Sequence, residues 1–68
     1  MSFELQTLYD QISTYGELIG IQDVRNKHGN LIMQIVNIEF DNNLFIFFNE
    51  FNLKEDCFKP TKLEIKKL

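Results

Sequence analysis

Leu44-Phe45-Ile46-Phe47-Phe48 is the stretch whose reading decides the fold. These five bulky apolar residues, three of them Phe, fall far short of the roughly 20 needed to cross a membrane. They suit a strand, with β-branched or aromatic side chains at four of five positions and turn formers on both sides. Side chains alternate across a strand, so Leu44, Ile46 and Phe48 point one way and Phe45, Phe47 and Phe51 the other. Both faces are apolar and both need cover. The period-two pattern does not say which of them a helix would take.

Working outward, Asp41-Asn42-Asn43 reads as a tight hairpin turn joining this strand, 44–51, to another over 31–40. The first half of that second strand is apolar on both faces (Leu31, Ile32, Met33, Ile35, Val36). Its second half alternates, with Val36, Ile38 and Phe40 one way and Asn37 and Glu39 the other. Such a change from two-sided to one-sided burial predicts a strongly bent strand. Asn26-Lys27-His28-Gly29-Asn30 is a turn cluster, with Gly29 able to take a positive φ. Residues 18–25 form the first strand, where Gly20 marks a bulge or a close backbone approach. On the other side, 52–59 is polar, with Leu53, Cys57 and Phe58 as apolar plugs. Pro60 opens a last strand over 61–67 from its first position, and Leu63 and Ile65 turn inward.

The N-terminal segment carries a helical stripe over about 3–15: Leu5, Leu8, Tyr9, Ile12 and Tyr15. Ser2 is the expected N-cap and Glu4 lies in the first turn, where the helix dipole favours an acid. Gly16 is the expected stop. Ile19 and Gly20 offer a later one, which would leave Gly16 inside the helix at a cost of about 1 kcal/mol.

The predicted fold is a single α+β domain over 1–68. An N-terminal amphipathic helix precedes about four antiparallel strands, in a small, strongly curved sheet or small barrel. The bent strand and the polar 52–60 link before a short closing strand resemble SH3-like and Sm-like small barrels in topology. No residue motif accompanies that resemblance, and topology alone licenses no function.

With 68 residues there is room for one core, and a chain this small buries only about 60% of its unfolded surface. One cysteine and one histidine supply neither a disulfide framework nor a zinc set. Seven Phe and two Tyr point instead to a dense aromatic core or to oligomerisation. The lone thiol suits a reducing cytosol, and Met1 leads into an amphipathic segment rather than a basic start and an apolar run. A cytoplasmic protein with no membrane segment is the expectation. The absence of Ala and Trp and the weight of Ile, Asn, Lys and Phe match AT-rich codons, of bacterial or phage origin.

The formal net charge of −3 is unevenly spread. Nine of the ten acids fall before residue 58, against Arg25, Lys27 and Lys54. The last eleven residues carry Lys59, Lys62, Lys66 and Lys67 against Glu64. An acidic body argues against general duplex binding.

No catalytic residue, cofactor site or metal site is expected, and no small-molecule substrate is implied. His28 falls in a hairpin tip with nothing to orient it. Cys57 is flanked by Glu55 and Asp56, carboxylates that oppose a reactive thiolate, and reads as a half-buried hydrophobe beside Phe58. Phosphate-cradling Gly-rich loops, HExxH and GxSxG are absent.

Three surfaces could meet a partner. The apolar strand surface left after the helix has taken one face draws on Phe45, Phe47, Phe51, Met33 and Ile35, and would serve a protein partner or a homodimer. Arg25, Lys27, Lys62, Lys66 and Lys67 are the candidate phosphate contacts of a nucleic-acid-binding small barrel, although Lys on an edge strand also blocks edge pairing. Glu50, Glu55 and Asp56, with Glu39 and Asp41 adjacent across the hairpin, could imitate nucleic-acid phosphates. The first surface is favoured: a small non-enzymatic protein-interaction or regulatory module that self-associates or docks on a larger protein.

Overall fold

A computed structural model describes residues 4–68. Helix α1 (Leu5–Tyr15) is followed by four strands, β1 (Glu17–Arg25), β2 (Leu31–Phe40), β3 (Asn43–Asn52) and β4 (Cys57–Lys67). The strands form one antiparallel meander in the order β1-β2-β3-β4. The sheet is open, with β1 and β4 at its two edges, so the small-barrel alternative is not realised. Consecutive hairpins place the first and last strands three positions apart, and four strands do not bring them back together. The molecule is a plate of one helix on one sheet, measuring 37 × 29 × 17 Å.

The hairpins follow from local chemistry. Asp41 and Asn42 have φ of 52° and 62°, the two left-handed residues of a type I′ turn, and Phe40 pairs directly with Asn43 across them. In the β1–β2 loop the Asn26 side-chain carbonyl accepts from the backbone N–H groups of His28 and Asn30, and Gly29 takes a φ of 85°. In the β3–β4 loop the Asn52 side chain accepts from Glu55 N–H, and Asp56 is left-handed at φ 54°. Asn and Asp tolerate these conformations better than other non-glycine residues.

Three register shifts interrupt the pairing of the edge strands; one falls between Val24 and Arg25, which pair with Met33 and Leu31. Another falls between Leu18 and Gly20, leaving Ile19 as a bulge in β1; Gly20 itself has open space around it. The third falls between Phe48 and Asn49 in the pairing with β4, where Asn49 faces Pro60 and Phe48 faces Lys62. Pro60 thus lies inside β4 rather than at its start. Edge position and a bulge tolerate the missing N–H, and the Thr61 hydroxyl donates to the Phe48 carbonyl at 3.2 Å. Strand β4 accordingly begins at Cys57, in the segment where a polar link was expected.

Residues paired across a sheet share a face. The helix side carries Val36, Ile38, Phe45, Phe47 and Leu63, which meet Leu5, Leu8, Tyr9 and Ile12 of α1. Phe47 is fully buried, and the Tyr9 ring meets it edge-on with centroids 4.9 Å apart. Tyr15, the last residue of the helical stripe, is exposed.

The helix ends at Gly16, though not through a left-handed cap: its φ is −89°. Its N–H donates to the Ile12 carbonyl, and a Cβ here would lie 2.6 Å from Ile38 Cγ2 and 2.8 Å from the Glu39 carbonyl. Glycine is needed for that close approach. At the other end Glu4 occupies the cap position with no side-chain cap, whereas the Ser2 cap expectation lies outside the described residues.

Candidate interaction face

Every buried strand residue (Val36, Ile38, Phe47, Asn49) lies on the helix side. The opposite face has no second layer. Pairing sets its side chains in four rows running from β1 to β4. From the loop end these are Val24–Met33–Glu50–Lys59, then Gln22–Ile35–Phe48–Lys62. Next come Gly20–Asn37–Ile46–Glu64 and Glu17–Glu39–Leu44–Lys66. Val24, Met33, Ile35, Phe48, Ile46 and Leu44, all half-exposed, form an apolar band running from the β1 corner across β2 and β3, with Lys, Glu, Gln and Asn side chains on either side of it.

The five residues expected to share one interaction surface are therefore divided. Met33 and Ile35 lie on the open face. Phe45, Phe47 and Phe51 lie on the helix side: Phe47 is core, Phe45 packs half-buried beside it, and Phe51 sits partly exposed against Phe58 with ring centroids 5.3 Å apart. The open-face partners are Leu44, Ile46 and Phe48, the other half of the same strand. The alternating pattern had marked them as the alternative set, but nothing local could choose between the two sets.

The basic residues are divided too. Arg25 donates to the Gly29 carbonyl and lies 3.9 Å from Asp23, so it and Lys27 belong to the β1–β2 loop end. Lys62 and Lys66 are on β4, the opposite edge, and Lys67 turns to the helix side beside Asn43. The five make no common phosphate site. Lys62 pairs with Glu64 at 3.4 Å and lies 5.0 Å over the Phe48 ring. Lys59 pairs with Glu55 at 2.9 Å, and that hydrogen bond holds its ammonium above the usual lysine range.

The acidic set does not assemble either. Glu50 pairs with Met33 near the loop end, whereas Glu39 pairs with Leu44 at the far end, about 20 Å along the strand. Leu53, in the β3–β4 loop, and Cys57, the first residue of β4, read as apolar plugs but are both exposed. His28 is exposed in its turn. Among the described residues no group of three or more His, Cys, Asp or Glu could hold a metal ion, and no helix is long and apolar enough to cross a membrane.

One corner of the open face is unusual in its charge. Glu17 and Glu39 stand directly opposite one another, a like-charge pair that disfavours the sheet. Among the described residues neither carboxylate has a cation within salt-bridge distance, and Lys66 at the far end of the same row has no carboxylate within that distance. No family model, curated protein or solved structure matches the chain.

Proposed function

We infer that this is a small non-enzymatic protein-interaction module whose working surface is the open sheet face. The carrying observation is the row pattern: six half-exposed apolar side chains contiguous across three strands, flanked by Lys, Glu, Gln and Asn, with no element of the chain above them. Apolar side chains bordered by polar ones are the anatomy of a protein–protein interface. Strand spacings of about 4.8 Å and same-face steps of about 6.8 Å make the whole face, apolar and polar positions together, roughly 20 × 27 Å.

The test is affinity capture of the tagged protein and its Ile46→Lys variant from cytoplasmic extract, with and without nuclease. A partner chain retained by the wild type, lost with Ile46→Lys and indifferent to nuclease is the expected result. Capture unchanged by the variant removes this face from consideration.

One observation favours a second reading, a single-stranded nucleic-acid binder. The half-exposed Phe48 ring lies on the same face as Lys59, Lys62 and Lys66, the pairing of an aromatic platform with basic groups that such sites use. Glu50, Glu64 and Glu39 on that face oppose it. If it holds, binding falls steeply with salt and the slope flattens by close to one unit for each of Lys62 and Lys66 changed to Gln. The interaction-module reading expects only weak, non-specific binding at 150 mM salt.

A further inference from the structure

We propose that the occupant of the open face is a second copy of this chain, packed sheet on sheet about a two-fold axis parallel to the strands. This rests on the open face being the working surface and adds its partner and geometry. The argument comes from the charge order within the rows. A two-fold axis along the strands, running between β2 and β3, lays β1 of one copy over β4 of the other and keeps each row over itself. The row Glu17–Glu39–Leu44–Lys66 then meets its own reverse. Lys66 of one copy comes over Glu17 of the other, and the same pair recurs on the opposite side.

Glu17 of the acidic corner and Lys66, which has no ion-pair partner among the described residues, thus satisfy each other, although within one chain they lie three strands apart. Glu39 lies over Leu44. In the row above the middle, Ile35 meets Phe48 of the second copy, also twice, and Gln22 meets Lys62. Rotation about the other in-plane axis would set Lys62 over Glu64 but Lys66 over Lys59, like charge on like, and would leave Glu17 over Val24 with no cation. The strand-parallel axis alone brings no like charges together and sets Glu17 over Lys66 twice.

It also gives the usual aligned packing of two sheets, within about 30° and 10 Å apart. The two faces together cover roughly 1,000 Å² in projection, the level at which specific association begins. Edge-to-edge pairing is the competing way to join two copies, but both edges are interrupted, β1 by the bulge at Ile19 and β4 by Pro60 and its register shift.

The experiment is sedimentation equilibrium of the purified protein from micromolar to millimolar concentration, with circular dichroism on every variant to confirm folding. The wild type is expected to be a dimer, and Ile35→Lys a folded monomer. Lys66→Glu and Glu17→Lys each place like charges at both contacts, weakening the dimer by about tenfold or more. Mixed one to one, the two variants restore both contacts, so a heterodimer of near-wild-type affinity forms. Because both substitutions are at exposed rim positions, this exchange does not depend on a core variant surviving.

A wild type that stays monomeric at millimolar concentration overturns the proposal. So does a dimer that ignores both charge reversals, or one that mixing fails to rescue. A monomer whose captured partner is a different protein, lost with Ile46→Lys, overturns this inference while leaving the working surface in place. If no chain of any kind responds to Ile46→Lys, both fall.

Discussion

Asn49 is the residue with the clearest excess cost. It is 5% exposed on the helix side, and its Oδ1 has no hydrogen-bond partner among the described residues. Leaving a buried amide oxygen unpaired costs about 1–3 kcal/mol, whereas leucine keeps the γ-branched outline, with greater volume, and has no polar atom. Asn49→Leu is therefore expected to stabilise the domain by about 1 kcal/mol or more, read as a rise of about 4–8 °C in Tm. An unchanged or lower Tm would mean that the oxygen is solvated. Neighbouring Phe47 shows the opposite case: fully buried, contacted by Tyr9 and stacked beside Phe45, it has no slack.

At the scale of elements, the joint between α1 and β1 sets how the layers meet. Gly16 brings the helix end onto Ile38 and the Glu39 carbonyl, and two of the three atoms nearest a Cβ there are backbone oxygens. Gly16→Ala is expected to cost about 1–3 kcal/mol, since backbone must shift to admit the methyl. Gly20→Ala meets nothing within 4 Å and should be neutral or stabilising by a few tenths, so paired urea denaturation of the two separates close approach from simple glycine flexibility. The β2–β3 hairpin responds to backbone conformation instead. Asn42 sits at φ 62°, where a β-branched residue is strained by about 1–2 kcal/mol. Asn42→Val should lose that much and Asn42→Gly should not; equal midpoints for the two would show that the turn type is not maintained in solution.

For the whole molecule, the two faces of β3 separate stability from association. Phe47→Lys places an unpaired charge in the core of a domain whose total stability is about 3–10 kcal/mol, and the chain should unfold. Phe48→Lys lies on the open face, where the ammonium can reach water, so it should fold and fail to self-associate. Circular dichroism and light scattering on both variants check this together. If both unfold, the open face is covered within a single chain. Cys57 is exposed and belongs to no metal-capable cluster among the described residues, so reductant and chelator should leave the thermal midpoint where it is.

The order of elements was legible in the sequence because each signal is local. The apolar stripe of α1, the Asp41-Asn42 turn, the Asn26–Asn30 loop and the apolar run of β3 each read correctly from their own residues. Gly20 pointed to a bulge or a close backbone approach, and the bulge falls at its neighbour Ile19. What the sequence could not decide was which side of β3 faces the helix, since Leu44-Ile46-Phe48 and Phe45-Phe47-Phe51 are equally apolar and period two treats them alike. That choice came from tertiary structure. The backbone contact of Gly16 with Ile38 and Glu39 folds α1 onto the face holding Ile38, and pairing then carries Val36, Phe45 and Phe47 to the same side. Pairing also separated Arg25 and Lys27 from the β4 lysines, and lined up Glu17, Glu39, Leu44 and Lys66, four residues spread over fifty positions of chain. Row order across a sheet is a property of register, and register exists only once the strands have met.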